Sequence, residues 1–182
     1  VIVTGKIQSG YIVKGQKICL MPGHKIGVID NLISGNNEVI KSAKKGDNIK
    51  IKLKDIDFNE INIGYVLCNK DNLCSVTNIF DAQLVIMNCQ NIICNGFNCI
   101  LHLHSIVINV EFMTLIRLID KKTGKVIPKI KPAFVKKGQI CIVRLKTESP
   151  ICIETFKNNQ HMARLTLRYN DESIAIGKVV KV

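Results

Sequence analysis

Along Asn48-Ile49-Lys50-Ile51-Lys52-Leu53-Lys54, apolar side chains alternate with lysines without a break. Period two sends successive side chains to opposite faces of an extended chain, so the pattern predicts a strand with one dry and one wet face. Four more short apolar segments, at residues 2–8, 16–21, 27–33 and 64–68, read as strands of the same kind. Between them stand Ser9-Gly10, Pro22-Gly23, Ser34-Gly35-Asn36-Asn37 and Lys45-Gly46-Asp47, residue types that accept turn geometry.

After the polar stretch Asn69-Lys70-Asp71-Asn72 the apolar segments lengthen, to residues 80–87, 100–104, 107–119, 140–145, 151–156, 163–169 and 174–182. Asn95-Gly96 and the loop Asp120-Lys121-Lys122-Thr123-Gly124 carry turn chemistry. Helical period is absent, and Pro128 and Pro132 disfavour a helix in the one remaining stretch, residues 129–134. The pattern argues for an all-β protein of sandwiches or barrels, read here as two consecutive antiparallel β-barrels, over residues 1–72 and 73–182. Ring closure also disposes of sheet edges in a chain rich in Val and Ile.

Composition narrows the class. Hydrophobic residues make up 47% of the 182, which excludes a disordered chain. No apolar run approaches the roughly 18 to 20 residues that span a bilayer, so no membrane partner is expected. The chain opens within the apolar Val1-Ile2-Val3, without the pattern of a secretory leader, and reads as a piece of a longer protein. Most of the eight cysteines lie in apolar runs such as Lys17-Ile18-Cys19-Leu20, where a reduced thiol acts as a small buried hydrophobe of a cytoplasmic protein. The formal net charge is +12, with 11 basic and 7 acidic residues up to Asn78 and 15 and 7 from Ile79 on. Such a balance favours partners rich in phosphate or carboxylate.

Catalytic chemistry finds little support. Neither Gly5-Lys6-Ile7 nor Gly177-Lys178-Val179 has the neighbours of a phosphate-binding loop. His102 and His104, with Cys94 and Cys99 upstream, have conceivable zinc spacing, but alternation turns neighbouring side chains to opposite faces. There is no nucleophile elbow and no carboxylate pair, so no catalytic, cofactor-binding or metal-binding residue is assigned. Lys121, Lys122, Lys125, Lys129, Lys131, Lys136 and Lys137 gather in one loop-strand-loop region and could meet nucleic-acid phosphates. Aromatic stacking platforms are scarce, with six Phe and three Tyr. Arg164 and Arg168, ordered on a single strand, suit carboxylates of a protein partner.

Several stretches together resemble a known family. Gly5-Lys6-Ile7-Gln8-Ser9-Gly10-Tyr11-Ile12-Val13-Lys14-Gly15 resembles the opening of the second domain in the elongation factor Tu and elongation factor 1-alpha superfamily. Ala163-Arg164-Leu165-Thr166-Leu167-Arg168, with Ser173-Ile174-Ala175-Ile176-Gly177-Lys178-Val179, resembles the close of its third domain. Asn91-Ile92-Ile93-Cys94-Asn95-Gly96-Phe97-Asn98, His102-Leu103-His104, Phe134-Val135-Lys136 and Ile151-Cys152-Ile153-Glu154-Thr155-Phe156-Lys157 are similar to the eukaryotic GTP-binding, class II release factors.

The resemblance implies domains 2 and 3 of a translational GTPase. Its GTPase domain would lie outside this chain, together with the GTP and magnesium it uses, and this portion would not itself be an enzyme. It further implies binding of the C-terminal domain of a class I release factor for delivery to the ribosome, contact with the protein's own GTPase domain, and a monomeric state. Arg164, Thr166 and Arg168 are the partner-binding residues so implied, with Phe134, Ile151 and Glu154 beside them. Ala163, Leu165 and Tyr169 stand where the family has Gly, Phe and Asp. A ribosome-rescue or elongation paralogue, or a basic RNA-binding β module, is the alternative.

Overall fold

A computed structural model describes residues 1–89, 92–128 and 131–182. The chain is all-β and divides into two compact units, Val1–Cys74 and Ser75–Val182, where the sequence put the division between 72 and 73. Among the described residues no helix is long and apolar enough to cross a membrane.

The first unit holds β1 (Ile2–Lys6), β2 (Tyr11–Val13), β3 (Lys17–Met21), β4 (Lys25–Ser34), β5 (Val39–Ile40), β6 (Ser42–Lys44), β7 (Asn48–Lys54) and β8 (Val66–Asn69), with one 3-10 turn at Phe58–Glu60. Hydrogen-bonded neighbours run β1-β7-β4-β3-β8, β5 adds to β4, and β2 pairs β6 in a separate ribbon. The alternation in β7 is realised in full. Ile49, Ile51 and Leu53 are buried beside Ile18, Leu20, Ile29 and Leu32, while Lys52 and Lys54 reach the Asp30 carboxylate at 3.2 and 2.9 Å. Hydrogen bonds from Lys54 and then Lys52 hold the Asp30 carboxyl below its ordinary pKa.

The second unit holds β9 (Val76–Ile86), β10 (Ile93–Cys94), β11 (Asn98–Leu103), β12 (Ile106–Ile119), β13 (Phe134–Val135), β14 (Ile140–Cys152), β15 (Arg164–Tyr169) and β16 (Glu172–Lys181). Six of these close a ring in the order β11-β12-β14-β9-β16-β15, and β10 and β13 form a small ribbon. Phe80, Leu101, Phe112, Leu115, Leu145 and Leu167 fill its interior. On the outside, Arg144 Nε and Nη2 donate to the two Asp81 oxygens at 2.7 and 3.0 Å, a two-pronged pair across β14 and β9.

The sequence pattern split β14 at Pro150, whereas the structure carries one strand through it. A register shift between Lys146 and Ile151 leaves the intervening residues outside the ladder with β9, so the missing proline N–H costs no bond there. The buried Thr147 hydroxyl donates to Ser149 O at 2.8 Å inside this bulge.

Ring closure also depends on Gly177, which lies between Leu84 of β9 and Leu165 of β15. A β-carbon there would run into the Gln83 carbonyl and the Leu84 side chain, whereas one on Gly5 would meet nothing within 4 Å. Replacing Gly177 by Ala is expected to destabilise the second unit by about 1–3 kcal/mol, the usual cost of overpacking a well-filled site. Gly5→Ala should change stability by less than about 1 kcal/mol. Chemical denaturation of the two variants checks the contrast.

Candidate partner-binding surface

Alternation along β15 decides which of its side chains face outward. Leu165 and Leu167 are buried in the ring, and Arg164, Thr166 and Arg168 take the opposite phase. With β11 on one side and β16 on the other, these three are flanked by outward residues of both neighbours. One transverse row runs through Val107, His102, Thr166, Ile176 and Val85, each the cross-strand partner of the next. A second runs through Asn109, Ile100, Arg168 and Ser173, and a third through Arg164, Lys178 and Gln83.

The face is more apolar than the water side of a barrel needs to be. Val107 is 63% exposed, Ile176 44% and Ile100 41%. Exposed aliphatic groups set among fixed cations are the composition of a protein-binding patch.

The cations are held in different ways. Arg164 Cζ and Lys178 Nζ lie 5.8 and 4.9 Å from the centroid of the same Phe156 ring. The electron-rich ring face draws both toward it although they are like-charged cross-strand neighbours. Among the described residues neither has a salt-bridged acid. Arg168 Nη2 donates to Asp171 O at 2.6 Å, and its Nε is enclosed with no hydrogen-bond partner among the described residues.

Asp171 belongs to the two-residue turn Asn170-Asp171, with φ of 47° and 61°. Asn and Asp tolerate left-handed backbone, so this turn joins β15 and β16 in the tight hairpin that strand twist favours. Tyr169, where the resembled family has Asp, packs its ring 5.1 Å from Phe97, which in turn meets Phe112 edge-on at 5.7 Å.

Other expected residues lie elsewhere. Phe134 is exposed on the β10–β13 ribbon, with Lys136 Nζ 5.3 Å from its centroid, and is not one of the cross-strand neighbours of β15. Ile151 is 4% exposed and part of the core, so it offers no side chain to a partner. Glu154 is engaged locally: Oε1 accepts from Ser75 N at 2.8 Å and Oε2 from Asn158 Nδ2 at 3.3 Å. Lys121, Lys122, Lys125, Lys131, Lys136 and Lys137 are all exposed, while Lys129 and Asn91 lie outside the described residues.

The histidines and cysteines considered for zinc are dispersed. Cys99 faces the interior, His102 the outer surface, and Cys94 is exposed on the ribbon. Burial pushes the Cys99 and Cys141 thiols up to about 12, which keeps both protonated near neutral pH. Sequence reasoning did not assign Ile100, Val107, Ile176, Phe156 and Lys178 to the surface. The phase of Ile100 with His102, opposite to Leu101 and Leu103, was the available signal.

The GTP-eEF1A C-terminal domain-like family model matches residues 79–180. A eukaryotic peptide chain release factor GTP-binding subunit from Zygosaccharomyces rouxii is 37% identical over 182 residues, covering 100% of this chain and 27% of its own length. Its namesake from Schizosaccharomyces pombe is 34% identical over 181 residues, covering 100% and 27%. The chain thus spans about a quarter of the curated relatives it matches. Among solved structures, Sup35 complexed with GDP superimposes at a TM-score of 0.93 with 34% identity, covering 100% of this chain and 44% of that one. Sup35 complexed with GMPPNP gives the same figures.

His104 supplies a pH dependence. It occupies a left-handed conformation, φ 40°, between β11 and β12, and its Nε2 lies 3.0 Å from Cys152 O. Burial holds its pKa below the ordinary histidine value, outweighing the bond to that carbonyl. Above the unfolded value, near 6.5, neither state carries the proton. As pH falls through that value the unfolded chain binds a proton that the native chain refuses, so stability declines, levelling off below the native pKa. Urea midpoints should therefore fall between about pH 7.5 and 5.5. His104→Asn, which tolerates the same backbone, should flatten that slope.

Proposed function

Because the chain belongs to the GTP-eEF1A C-terminal domain-like family, we propose that it is the two-unit binding region of a translation-termination GTPase that grips a class I release factor with the outer face of β15. The observation that carries this reading is the face itself. Arg164, Thr166 and Arg168 stand at fixed two-residue spacing, bordered by exposed Ile100, Val107 and Ile176. Aliphatic side chains supply burial, and the uncompensated guanidiniums orient carboxylates of the partner.

In this reading the C-terminal domain of the class I factor is the ligand, and the complex travels to the ribosome. GTP and magnesium belong to a GTPase domain outside this chain, the location is the cytoplasm, and the protein acts as a monomer. The residues of this chain bind and orient; hydrolysis is the work of the absent domain. Phe134 has a weaker claim to the contact because it sits on a separate ribbon, and Ile151 and Glu154 act by supporting the fold.

Calorimetry of the whole chain against a class I release factor tests the proposal without nucleotide. Arg164→Ala with Arg168→Ala should weaken binding by about 2–5 kcal/mol if both guanidiniums meet desolvated carboxylates. Ile176→Asp, which leaves both arginines in place, should weaken it as well. Circular dichroism confirms that each variant remains folded. Undiminished affinity in the double variant, or steeply salt-dependent binding to RNA with none to the protein, overturns the assignment.

A further inference from the structure

The pairing of β3 with β8 sets Cys19 directly opposite Cys68. Opposed residues of an antiparallel pair project from the same face with β-carbons about 4.5–5.5 Å apart. A disulfide needs about 3.5–4.5 Å, so a closure of roughly one ångström between the β-carbons, with rotation of the thiols toward each other, allows the bond. The strand β8 can supply that movement. It has four residues and lies at the end of its sheet, held by a single ladder.

Neither thiol belongs to the cluster that fills the core of the first unit, although Cys19 is only 4% and Cys68 8% exposed. The core-filling positions on β3 are Ile18 and Leu20, in the opposite phase. A bond between the cysteines therefore forms on the other face of the sheet from Ile18 and Leu20, where the Cys19 thiol donates to the buried Met21 Sδ at 3.9 Å and would leave that contact. The two sulfurs also differ in chemistry. The Cys74 N–H donates to Cys68 Sγ at 3.4 Å, which stabilises negative charge on that sulfur. Burial, and then the neighbouring Cys68, raise the pKa of Cys19.

We propose that Cys19 and Cys68 are a redox-responsive pair, which hydrogen peroxide converts to a cross-strand disulfide with Cys68 attacking first and Cys19 resolving. Cys68 sulfur gives up its proton and attacks one peroxide oxygen. The O–O bond breaks, and the departing hydroxide takes that proton to leave as water. Cys19 sulfur then attacks the resulting sulfenic sulfur, and the displaced hydroxide takes the Cys19 proton to leave as a second water. Two thiols lose two electrons and one peroxide becomes two waters. The product joins β8 to β3 just before the end of the first unit at Cys74.

Trypsin makes the outcome legible, because peptides 18–25 and 55–70 each hold one of these cysteines and no other. The whole chain is treated with hydrogen peroxide, blocked with iodoacetamide, and digested without reductant. Mass spectrometry should then show 18–25 bonded to 55–70. The linked species should disappear with dithiothreitol and in Cys19→Ser, and persist in Cys74→Ser. Recovery of both peptides in alkylated form after peroxide overturns the proposal. So does linkage of 55–70 to peptide 71–117, which carries Cys74. The wild-type map decides the question even if a variant fails to fold.

Discussion

In the second unit every strand of the six-membered ring has a hydrogen-bonded neighbour on each side. That closure governs what its side chains can do. With no free edge, each residue of a ring strand faces either the packed interior or the outer surface, and twist and register settle which outward groups become neighbours. Gly177 makes the closure sterically possible where β16 passes between β9 and β15. The same closure makes the outer face of β15 stiff. Guanidiniums carried on a strand locked by two ladders have less freedom to lose on meeting a ligand than lysines on a loop, and that difference separates Arg164 and Arg168 from the loop lysines.

The charge of the chain is correspondingly uneven in meaning. In the first unit Lys52 and Lys54 are already committed to Asp30, and Lys25 to Glu60 at 2.7 Å. In the second unit Arg144 is committed to Asp81. Arg164 and Lys178 have an aromatic ring in place of an acid, so their charge remains available to a ligand. Exposed loop lysines such as Lys121 and Lys122 add to the field around the protein but have no comparable support. A net charge of +12 is thus less informative than the few cations that strands and rings hold in place.

How far the sequence reveals all this depends on whether parity survives along a strand. β7 was legible residue by residue, since its lysines and aliphatics keep strict alternation from end to end. β15 was legible for the same reason, with Leu165 and Leu167 in and the arginines out. β14 was not legible as one strand, because a bulge between Lys146 and Ile151 interrupts the ladder with β9 and a proline looks like a terminus when its unpaired position is unknown. Ile151 keeps the odd-numbered parity of the buried Cys141, Val143 and Leu145, so plain alternation already placed it in the core. The ribbons β2–β6 and β10–β13 are too short to show any period. Ile100, Val107 and Ile176 join one face only through cross-strand register, which no single segment encodes. Glu154 was visible as a carboxylate, but nothing local to it announces the amide of Ser75.

The order of strand pairing also sets a timetable for synthesis. In the first unit β1 pairs with β7 and β3 with β8, so every ladder can form once the chain has emerged to Asn69. In the second, the first strand to emerge, β9, has as partners β14 and β16. Until β16 leaves the exit tunnel, β9 presents one side of its backbone unpaired, and the apolar interior stays open to water. Domains fold as units from the N-terminal side during translation, and pairings of long sequence separation are slow to form. The nascent chain therefore carries a finished first unit while the second still exposes its apolar interior.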